Sequence, residues 1–190
     1  MINSIAVYCG SSKGSDPIFS EQATLLADYF IEHEITLING GGSVGLMGVM
    51  GNRMINRGGK CIGIIPKFMM PWEVGLKEMD QLIIVEDMHQ RKNKLQELSD
   101  AFIALPGSLG TLEELFEVLC WSQLKLHQKP IGLLNTKAYY NPLLKMLNNM
   151  VEEGFMKENN RNLLVVDSEI NGLMKKLKAY TPNVETKWVP

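Results

Sequence analysis

Glycines, hydroxyls and acidic side chains are concentrated in residues 106–114, whose sequence is Pro-Gly-Ser-Leu-Gly-Thr-Leu-Glu-Glu. An apolar segment precedes this run and a stretch with helical periodicity follows it, so the run is predicted to connect a strand to a helix. Backbone N–H groups at such a turn, the hydroxyls of Ser108 and Thr111 and the helix dipole together favour a bound phosphate. The run is not a Walker loop, because no Lys follows Gly110, and it does not follow the first strand as a dinucleotide fingerprint would.

Glu114 lies one turn into the predicted helix, and its spacing leaves two interpretations open. Thr111 and Glu114 are three residues apart, as in a capping box, where the Glu side chain bonds back to the Thr N–H. The alternative is a carboxylate that lies beside a bound phosphate and takes part in catalysis.

Two earlier turns also carry residues that suit an anion. After the first predicted strand, Ser12 belongs to the run Gly-Ser-Ser-Lys-Gly, which offers hydroxyls, a Lys and close backbone approach. After the second, Gly41 and Gly42 belong to three successive glycines, which permit positive φ and expose backbone N–H groups. The alternative for these glycines is a turn that only lets a helix and a strand pack closely.

Arg91 and Lys92 are adjacent cations near the start of another predicted helix, where the helix dipole disfavours positive charge. A bound anion nearby would account for this placement. The alternative is a basic pair exposed to solvent.

Short apolar segments and amphipathic segments alternate along the chain. The apolar ones are nearly continuously hydrophobic, as in parallel strands that are covered by helices on both faces. Strands are predicted at residues 4–9, 35–38, 60–65, 81–85, 101–105, 130–134 and 163–166. Helices are predicted from Asp16-Pro17 to about residue 33, at residues 43–56 and 89–98, after Thr111, and at residues 140–153 and 169–179. This alternation predicts an α/β fold with a doubly wound parallel sheet, in which ligands bind at the carboxyl ends of the strands.

Length and composition limit the classes of protein to consider. The 190 residues suit one domain, which we expect at residues 1–180, followed by a loose C-terminal tail at residues 181–190. The net charge of −2 argues against a protein that wraps nucleic acid. The longest apolar runs fall far short of the ~20 residues that span a bilayer, and the start does not resemble a signal peptide. We therefore expect neither a nucleic-acid nor a membrane partner.

The cysteines and histidines indicate no metal site and no disulfide framework. Cys9, Cys61 and Cys120 are far apart, and the three histidines show no spacing typical of metal ligands. Reduced thiols are typical of a cytoplasmic protein, which is the location we expect.

Three motifs together resemble one known family. They are residues 40–48, Gly-Gly-Gly-Ser-Val-Gly-Leu-Met-Gly, residues 88–92, Met-His-Gln-Arg-Lys, and Pro106-Gly107-x-x-Gly110-Thr111-x-x-Glu114. In their order and spacing, from about Ala6 to about Phe155, they resemble the Lonely Guy family. Its members are cytokinin riboside 5′-monophosphate phosphoribohydrolases, and many related sequences carry the older label "lysine decarboxylase".

The resemblance implies a Rossmann-like fold, usually a homodimer, that hydrolyses the N-glycosidic bond of a purine nucleoside 5′-monophosphate. The products are the free base and ribose 5-phosphate, and the substrate is a cytokinin nucleotide or AMP itself. No cofactor is expected. By matching position, Arg91 and Glu114 form the catalytic pair. The substrate-binding residues expected from the resemblance and from the turns are Ser12, Gly41, Gly42, Glu73, Lys92, Gly107, Ser108, Leu109, Gly110, Thr111, Leu112 and Glu113.

Two positions depart from the family pattern. Ser108 stands where the family usually has a second Gly, so its hydroxyl either joins the phosphate contacts or its β-carbon weakens activity. Cys120 stands where Thr is frequent.

Two other functions compete with this hydrolysis. The first alternative function is a non-catalytic carrier of a nucleotide or of the molybdenum cofactor. The second is a pyridoxal-phosphate decarboxylase, for which no Schiff-base Lys with an acid partner is recognisable.

Overall fold

A parallel sheet of seven strands organises residues 1–70 and 79–182, the part of the chain that the computed structural model describes. The strands are β1 (Ser4–Tyr8), β2 (Thr36–Asn39), β3 (Cys61–Pro66), β4 (Gln81–Val85), β5 (Ala101–Ala104), β6 (Ile131–Leu134) and β7 (Leu164–Asp167). Their spatial order in the sheet is β4-β3-β2-β1-β5-β6-β7. All seven lie where the sequence predicts a strand, and most of their residues are buried, as their continuous hydrophobicity indicates.

Helices follow the strands as predicted. They are α1 (Ile18–Glu32), α2 (Gly45–Asn56), α3 (Met88–Leu98), α4 (Leu109–Gln123), α5 (Asn141–Glu152), α6 (Glu158–Arg161) and α7 (Ile170–Lys178). Helix α6 was not predicted, because its single turn is too short to show a hydrophobic period. Two 3-10 turns, Lys67–Met69 and Thr136–Ala138, follow β3 and β6.

The helices cover both faces of the sheet, so the core has two halves. On one face, α1, α2 and α7 bury their apolar stripes, as shown by Leu26, Met50 and Leu173, each at most 1% exposed. On the other face, α3, α4 and α5 contribute Leu95 and Leu115, together with Leu147. The fold is therefore the α/β Rossmann-like sheet with flanking helices that the sequence predicts.

The strand order reverses at the centre of the sheet, between β1 and β5. The chain builds β1 to β4 outward on one side, then returns to place β5 on the other side of β1 and continues outward to β7. The turns after β1 and β5 therefore leave the same edge side by side, and the Gly10 N–H donates to the Pro106 carbonyl at 3.0 Å. In open α/β sheets, such a point of reversal is where ligands bind.

Two expectations are not decided by the fold. The domain boundary near residue 180 stays a prediction, and most of the expected tail lies outside the described residues. Within residues 1–70 and 79–182, none of the helices is both long and apolar enough to cross a bilayer.

Candidate active site

Two neighbouring cavities, each of about 180 Å³, open at the point where the strand order reverses. Ser11 and Ser108 line both of them. We call the first the glycine cavity; its other lining residues are Gly10, Ser12, Lys13, Gly14, Phe19, Leu46, Pro106, Gly107 and Tyr139. We call the second the arginine cavity; its other lining residues are Cys9, Met47, Met69, Met88, Arg91, Gly110, Thr111, Glu113 and Glu114.

The turn after β5 forms the wall between these cavities, and its backbone is closely fixed. A β-carbon on Gly107 would lie 2.0 Å from Thr111 Oγ1, so only glycine fits there. The Tyr139 hydroxyl donates to the Gly107 carbonyl at 2.7 Å, and the Tyr140 hydroxyl donates to the Leu105 carbonyl at the same distance. This turn is therefore a preorganised backbone surface at the start of a helix, as a phosphate site requires.

The capping-box interpretation of Thr111 and Glu114 is wrong. Helix α4 begins at Leu109 with Ser108 as its N-cap, and the Leu112 N–H donates to the Ser108 carbonyl at 3.1 Å. Thr111 is thus the third residue of the helix rather than its cap, and its N–H is one of the first-turn donors that have no partner within the helix. The Ser108 side chain makes no capping hydrogen bond, which leaves its hydroxyl for another partner at the rim of both cavities.

Arg91 is buried, with 6% of its surface exposed, so the interpretation of an exposed basic pair is also wrong. Its guanidinium lies over Gly40, where a β-carbon would be 2.0 Å from Nη2. Nη1 lies 3.3 Å from Met69 Sδ, and buried Nε has no hydrogen-bond partner among the described residues. A buried cation with an unused donor points to an anionic or polar ligand in the cavity.

Helix α3 positions this cation by a well-formed first turn. Asp87 is the N-cap, and its Oδ1 accepts from the Gln90 N–H at 2.8 Å. The Arg91 N–H in turn donates to the Asp87 carbonyl at 3.1 Å. These hydrogen bonds fix the backbone at Arg91. The Arg91 side chain therefore extends from a defined position on α3 into the arginine cavity.

Glu114 is half-buried and lines the same cavity from α4. Desolvation raises the pKa of its carboxyl to about 7, although the Arg91 and Lys92 cations act in the opposite direction. A carboxyl with this pKa can exchange a proton near neutral pH, as a general base or acid must. Burial beside Glu114 also raises the pKa of the Cys9 thiol, which keeps this thiol protonated and unsuited to nucleophilic attack.

Lys92 joins α3 to α4 rather than pointing freely into a cavity. Its Nζ lies 2.6 Å from Glu113 Oε1 and 2.9 Å from Glu117 Oε1, and its side chain is only 11% exposed. Glu113 lines the arginine cavity while it holds this ion pair.

The other expected site residues fall into three groups. Ser12, Gly107, Ser108, Gly110 and Thr111 line one or both cavities, and their contact with substrate stays a prediction. Leu109, Leu112, Gly41 and Gly42 are not among the residues that line them. Leu109 is 84% exposed, and Leu112 packs against the core under α4. Glu73 lies outside the described residues, and its role stays a prediction.

Gly41 and Gly42 serve the structure of the turn after β2. Gly41 has φ +77° and packs so closely that a β-carbon would lie 2.9 Å from Leu82 Cδ1. Its N–H donates to Asn39 Oδ1 at 2.8 Å, and the Gly42 N–H points to Met47 Sδ at 3.3 Å. These contacts match the alternative of close packing that the sequence left open.

Sequence reasoning missed Gly40, Met69 and Tyr139 as site residues. Gly40 was visible as the first of three glycines, but its role depends on Arg91, which approaches it from a distant part of the chain. Tyr139 and Met69 carry no sequence signal, because their contacts with Gly107 and Arg91 form only in the folded chain. Among the described residues, no cluster of His, Cys, Asp or Glu could hold a metal ion.

Comparisons with known proteins agree with these motifs. Residues 47–177 match the family model described as "Possible lysine decarboxylase". A probable cytokinin riboside 5′-monophosphate phosphoribohydrolase of Oryza sativa subsp. japonica is 46% identical over 95% of this chain and 74% of its own length. A cytokinin riboside 5′-monophosphate phosphoribohydrolase of Arabidopsis thaliana is 45% identical over 95% of this chain and 85% of its own length.

Solved structures show the same fold at lower identity. The molybdenum cofactor binding protein of Rippkaea orientalis superposes with a TM-score of 0.70 at 24% identity, over 94% of this chain and 97% of its own. The molybdenum cofactor carrier protein of Chlamydomonas reinhardtii gives 0.68 at 20% identity, over 94% and 97%. At these identities the likeness concerns the fold alone. The family model and the identity to curated relatives over nearly the whole chain show that the protein belongs to the Lonely Guy family, whose model bears the lysine decarboxylase description.

Proposed function

We propose that the protein hydrolyses the N-glycosidic bond of purine nucleoside 5′-monophosphates and releases the free base and ribose 5-phosphate. The observation that carries this proposal is the arginine cavity itself. A buried guanidinium with an unused donor and a carboxyl of pKa about 7 line one cavity, next to a helix start that suits phosphate. The names of the relatives at 45–46% identity support the same reaction.

The phosphate would bind at the turn from Gly107 to Thr111, between the two cavities. Backbone N–H groups of the first turn of α4, the Ser108 hydroxyl and the helix dipole all favour an anion there. Glu114 lies three residues beyond Thr111, which is roughly 5 Å along the helix axis. One helix therefore holds the phosphate and presents the carboxylate at the distance where the sugar of the same nucleotide would lie.

The Glu114 carboxylate would act on the reacting carbon. As the C1′–N bond breaks, the bonding electrons leave with the base and positive charge develops on the sugar ring, which a nearby carboxylate stabilises. A water molecule then adds to C1′ and gives one proton to Glu114, while the departing base nitrogen takes one proton from solvent. Glu114 returns its proton to solvent, so the overall reaction consumes one water molecule. Arg91 would donate its guanidinium fork to phosphate or sugar oxygens and hold C1′ in place.

The proposal also covers the substrates, the oligomeric state and the location of the protein. We expect cytokinin nucleotides and AMP as substrates, with Met47, Met69 and Met88 offering adaptable apolar walls for the base side of the arginine cavity. We also expect a homodimer that acts in the cytoplasm, without nucleic-acid or membrane partners. The free state of all three cysteines fits a reducing compartment.

The competing function is a carrier that binds its ligand without reaction. Mass spectrometry of ligand retained on purification, combined with a product assay, separates the two. The assay offers AMP, prenyl-AMP and adenosine to the purified full chain and measures free base and ribose 5-phosphate. We expect release from the nucleotides and little from adenosine, because the phosphate positions the sugar. A ligand that is retained intact, with no base released from any substrate, would favour the carrier.

A further inference from the structure

Lys92 makes the one ion-pair bridge between α3 and α4 in the described part of the chain. It follows directly on Arg91, yet its Nζ is turned to two carboxylates of α4, Glu113 at 2.6 Å and Glu117 at 2.9 Å. Two of the three ammonium donors are thereby used inside the protein. Burial alone would lower the pKa of Lys92, but the two carboxylates raise it, so the side chain stays charged.

The two carboxylates lie one turn apart on α4, and Glu114 lies between them in the sequence. Like charges four residues apart repel each other and destabilise a helix. Lys92 neutralises this repulsion and at the same time fixes the turn of α4 that carries Glu114 against α3, which carries Arg91. The bridge thus sets the position of the proposed catalytic pair without contact with the reacting atoms.

We infer that Lys92 is a positioning residue for the proposed hydrolysis, which acts through Glu113 and Glu117 to fix the place and the charge state of Glu114, rather than a phosphate ligand. This inference rests on the proposed function for its kinetic consequences. Its structural content, the bridge from α3 to α4, does not depend on the substrate.

The charged groups around Glu114 determine in which direction its pKa moves when Lys92 or Glu117 is lost. Arg91 and Lys92 face it from α3 and lower its pKa, whereas Glu113 and Glu117 on α4 raise it. Tyr8 at the end of β1 and Cys9 directly after it also lie near Glu114. Burial, and secondly the Glu114 carboxylate, raise the pKa values of both, so both stay protonated. Loss of Lys92 removes one cation and leaves two carboxylates without their partner, so the Glu114 carboxyl should hold its proton to a higher pH. Loss of Glu117 should have the opposite effect.

The experiment compares Lys92→Met with Lys94→Met in the 190-residue chain. Lys94 lies on the same helix, is 46% exposed and pairs only with Glu97 of its own helix in the described structure, so its loss removes the same charge without the bridge. The readouts are the pH profile of turnover on AMP, the affinity for inorganic phosphate and the pKa of the Glu114 carboxyl from ¹³C NMR. Glu117→Gln is the second variant, in case Lys92→Met does not fold.

We expect the acidic limb of turnover to move up by roughly one pH unit in Lys92→Met and to stay in place in Lys94→Met. In Glu117→Gln the limb should move down, and phosphate affinity should change by less than about threefold in both Lys92→Met and Glu117→Gln. The inference would be overturned if the acidic limb of turnover stayed in place in both variants while Lys92→Met lost phosphate affinity tenfold or more. Lys92 would then be a phosphate ligand. If the wild type proves inactive, the proposed function fails, but the NMR pKa of Glu114 still tests the bridge. An NMR pKa that Lys92→Met and Glu117→Gln leave unchanged would overturn it.

Discussion

At the scale of single residues, Arg91 and Glu114 share one property. Burial of either side chain costs free energy in the folded protein. Arg91 is a buried cation whose Nε is unsatisfied among the described residues, and Glu114 is a carboxyl partly removed from water. Such costs are typical of side chains that a ligand will contact. The sequence could indicate these residues through the family motifs, but their burial and charge state depend on neighbours that only the folded chain brings together.

The geometry of Arg91 leads to the first prediction, for Arg91→Lys. A Lys ammonium is a point charge and cannot replace a planar fork of donors. We expect kcat/KM on AMP to fall by about 10-fold or more, which corresponds to a charge-assisted hydrogen bond of roughly 1.5–3 kcal/mol. Arg53→Lys is the control, because Arg53 pairs with Asp28 away from both cavities and should keep normal turnover. Near-normal kinetics of Arg91→Lys would remove Arg91 from the proposed site.

Ser108 provides a second prediction at this scale. Its side chain lies at the rim of both cavities and makes no capping hydrogen bond. If its hydroxyl holds phosphate, Ser108→Gly should raise KM for AMP a few-fold with kcat little changed; if its β-carbon crowds the turn, the same variant should be more active. Steady-state kinetics with AMP distinguish these results. A variant with unchanged kinetics and unchanged phosphate affinity would count against a phosphate site at this turn.

At the scale of elements, the hydrophobic pattern predicted every strand. It did not predict the correct start of α4, which is the helix that carries the site. Helix periodicity becomes visible only from Leu112 onward, because Leu109 is exposed and Gly110 has no side chain. The predicted start therefore fell three residues late, and Thr111 looked like a cap. The turn residues themselves were recognisable, since glycines and hydroxyls there have a local physical reason.

The contact between the turn after β2 and helix α3 leads to the third prediction. A β-carbon at residue 40 would lie 2.0 Å from Arg91 Nη2, so Gly40→Ala should displace the guanidinium. We expect turnover on AMP to fall about as much as in Arg91→Lys. Gly58→Ala is the control, because Gly58 has φ +72° but no atoms within 4 Å of the added β-carbon. It should lose stability and retain turnover per folded molecule, whereas full activity of Gly40→Ala would show that the position of Arg91 is unimportant.

At the scale of the whole molecule, the order of the strands explains why distant motifs meet. The reversal between β1 and β5 places the turns after both strands at one edge, and α3 approaches the same edge with Arg91. The alternation of strands and helices predicted this class of sheet and the edge where a ligand binds. It could not predict the Lys92 bridge or the Tyr139 contact, because side-chain partners that are 21 and 32 residues apart in the sequence leave no periodic signal.

The raised pKa of Glu114 also has a consequence for global stability. The folded state holds the Glu114 proton up to a pH of about 7, while an unfolded carboxyl loses it near its ordinary value of 4.5. Between these values the folded state binds more protons, so Glu114 makes stability fall as the pH rises through this window. Glu114→Gln lacks this effect. We therefore expect its free energy of unfolding, relative to wild type, to increase by about 1–3 kcal/mol between pH 4 and pH 8. Urea unfolding at both pH values measures this, and a constant difference would contradict the raised pKa.

The most direct test of the proposed function is the turnover of Glu114→Gln at saturating AMP or prenyl-AMP, with binding measured separately. Gln keeps the size of the side chain, but it can neither accept a proton nor stabilise a positive sugar ring. We expect binding to survive and kcat to fall by on the order of 10²–10⁴-fold. Retained turnover in a folded Glu114→Gln protein would contradict this expectation, and the catalytic carboxylate would then have to be another acid, with Glu73 as the first candidate.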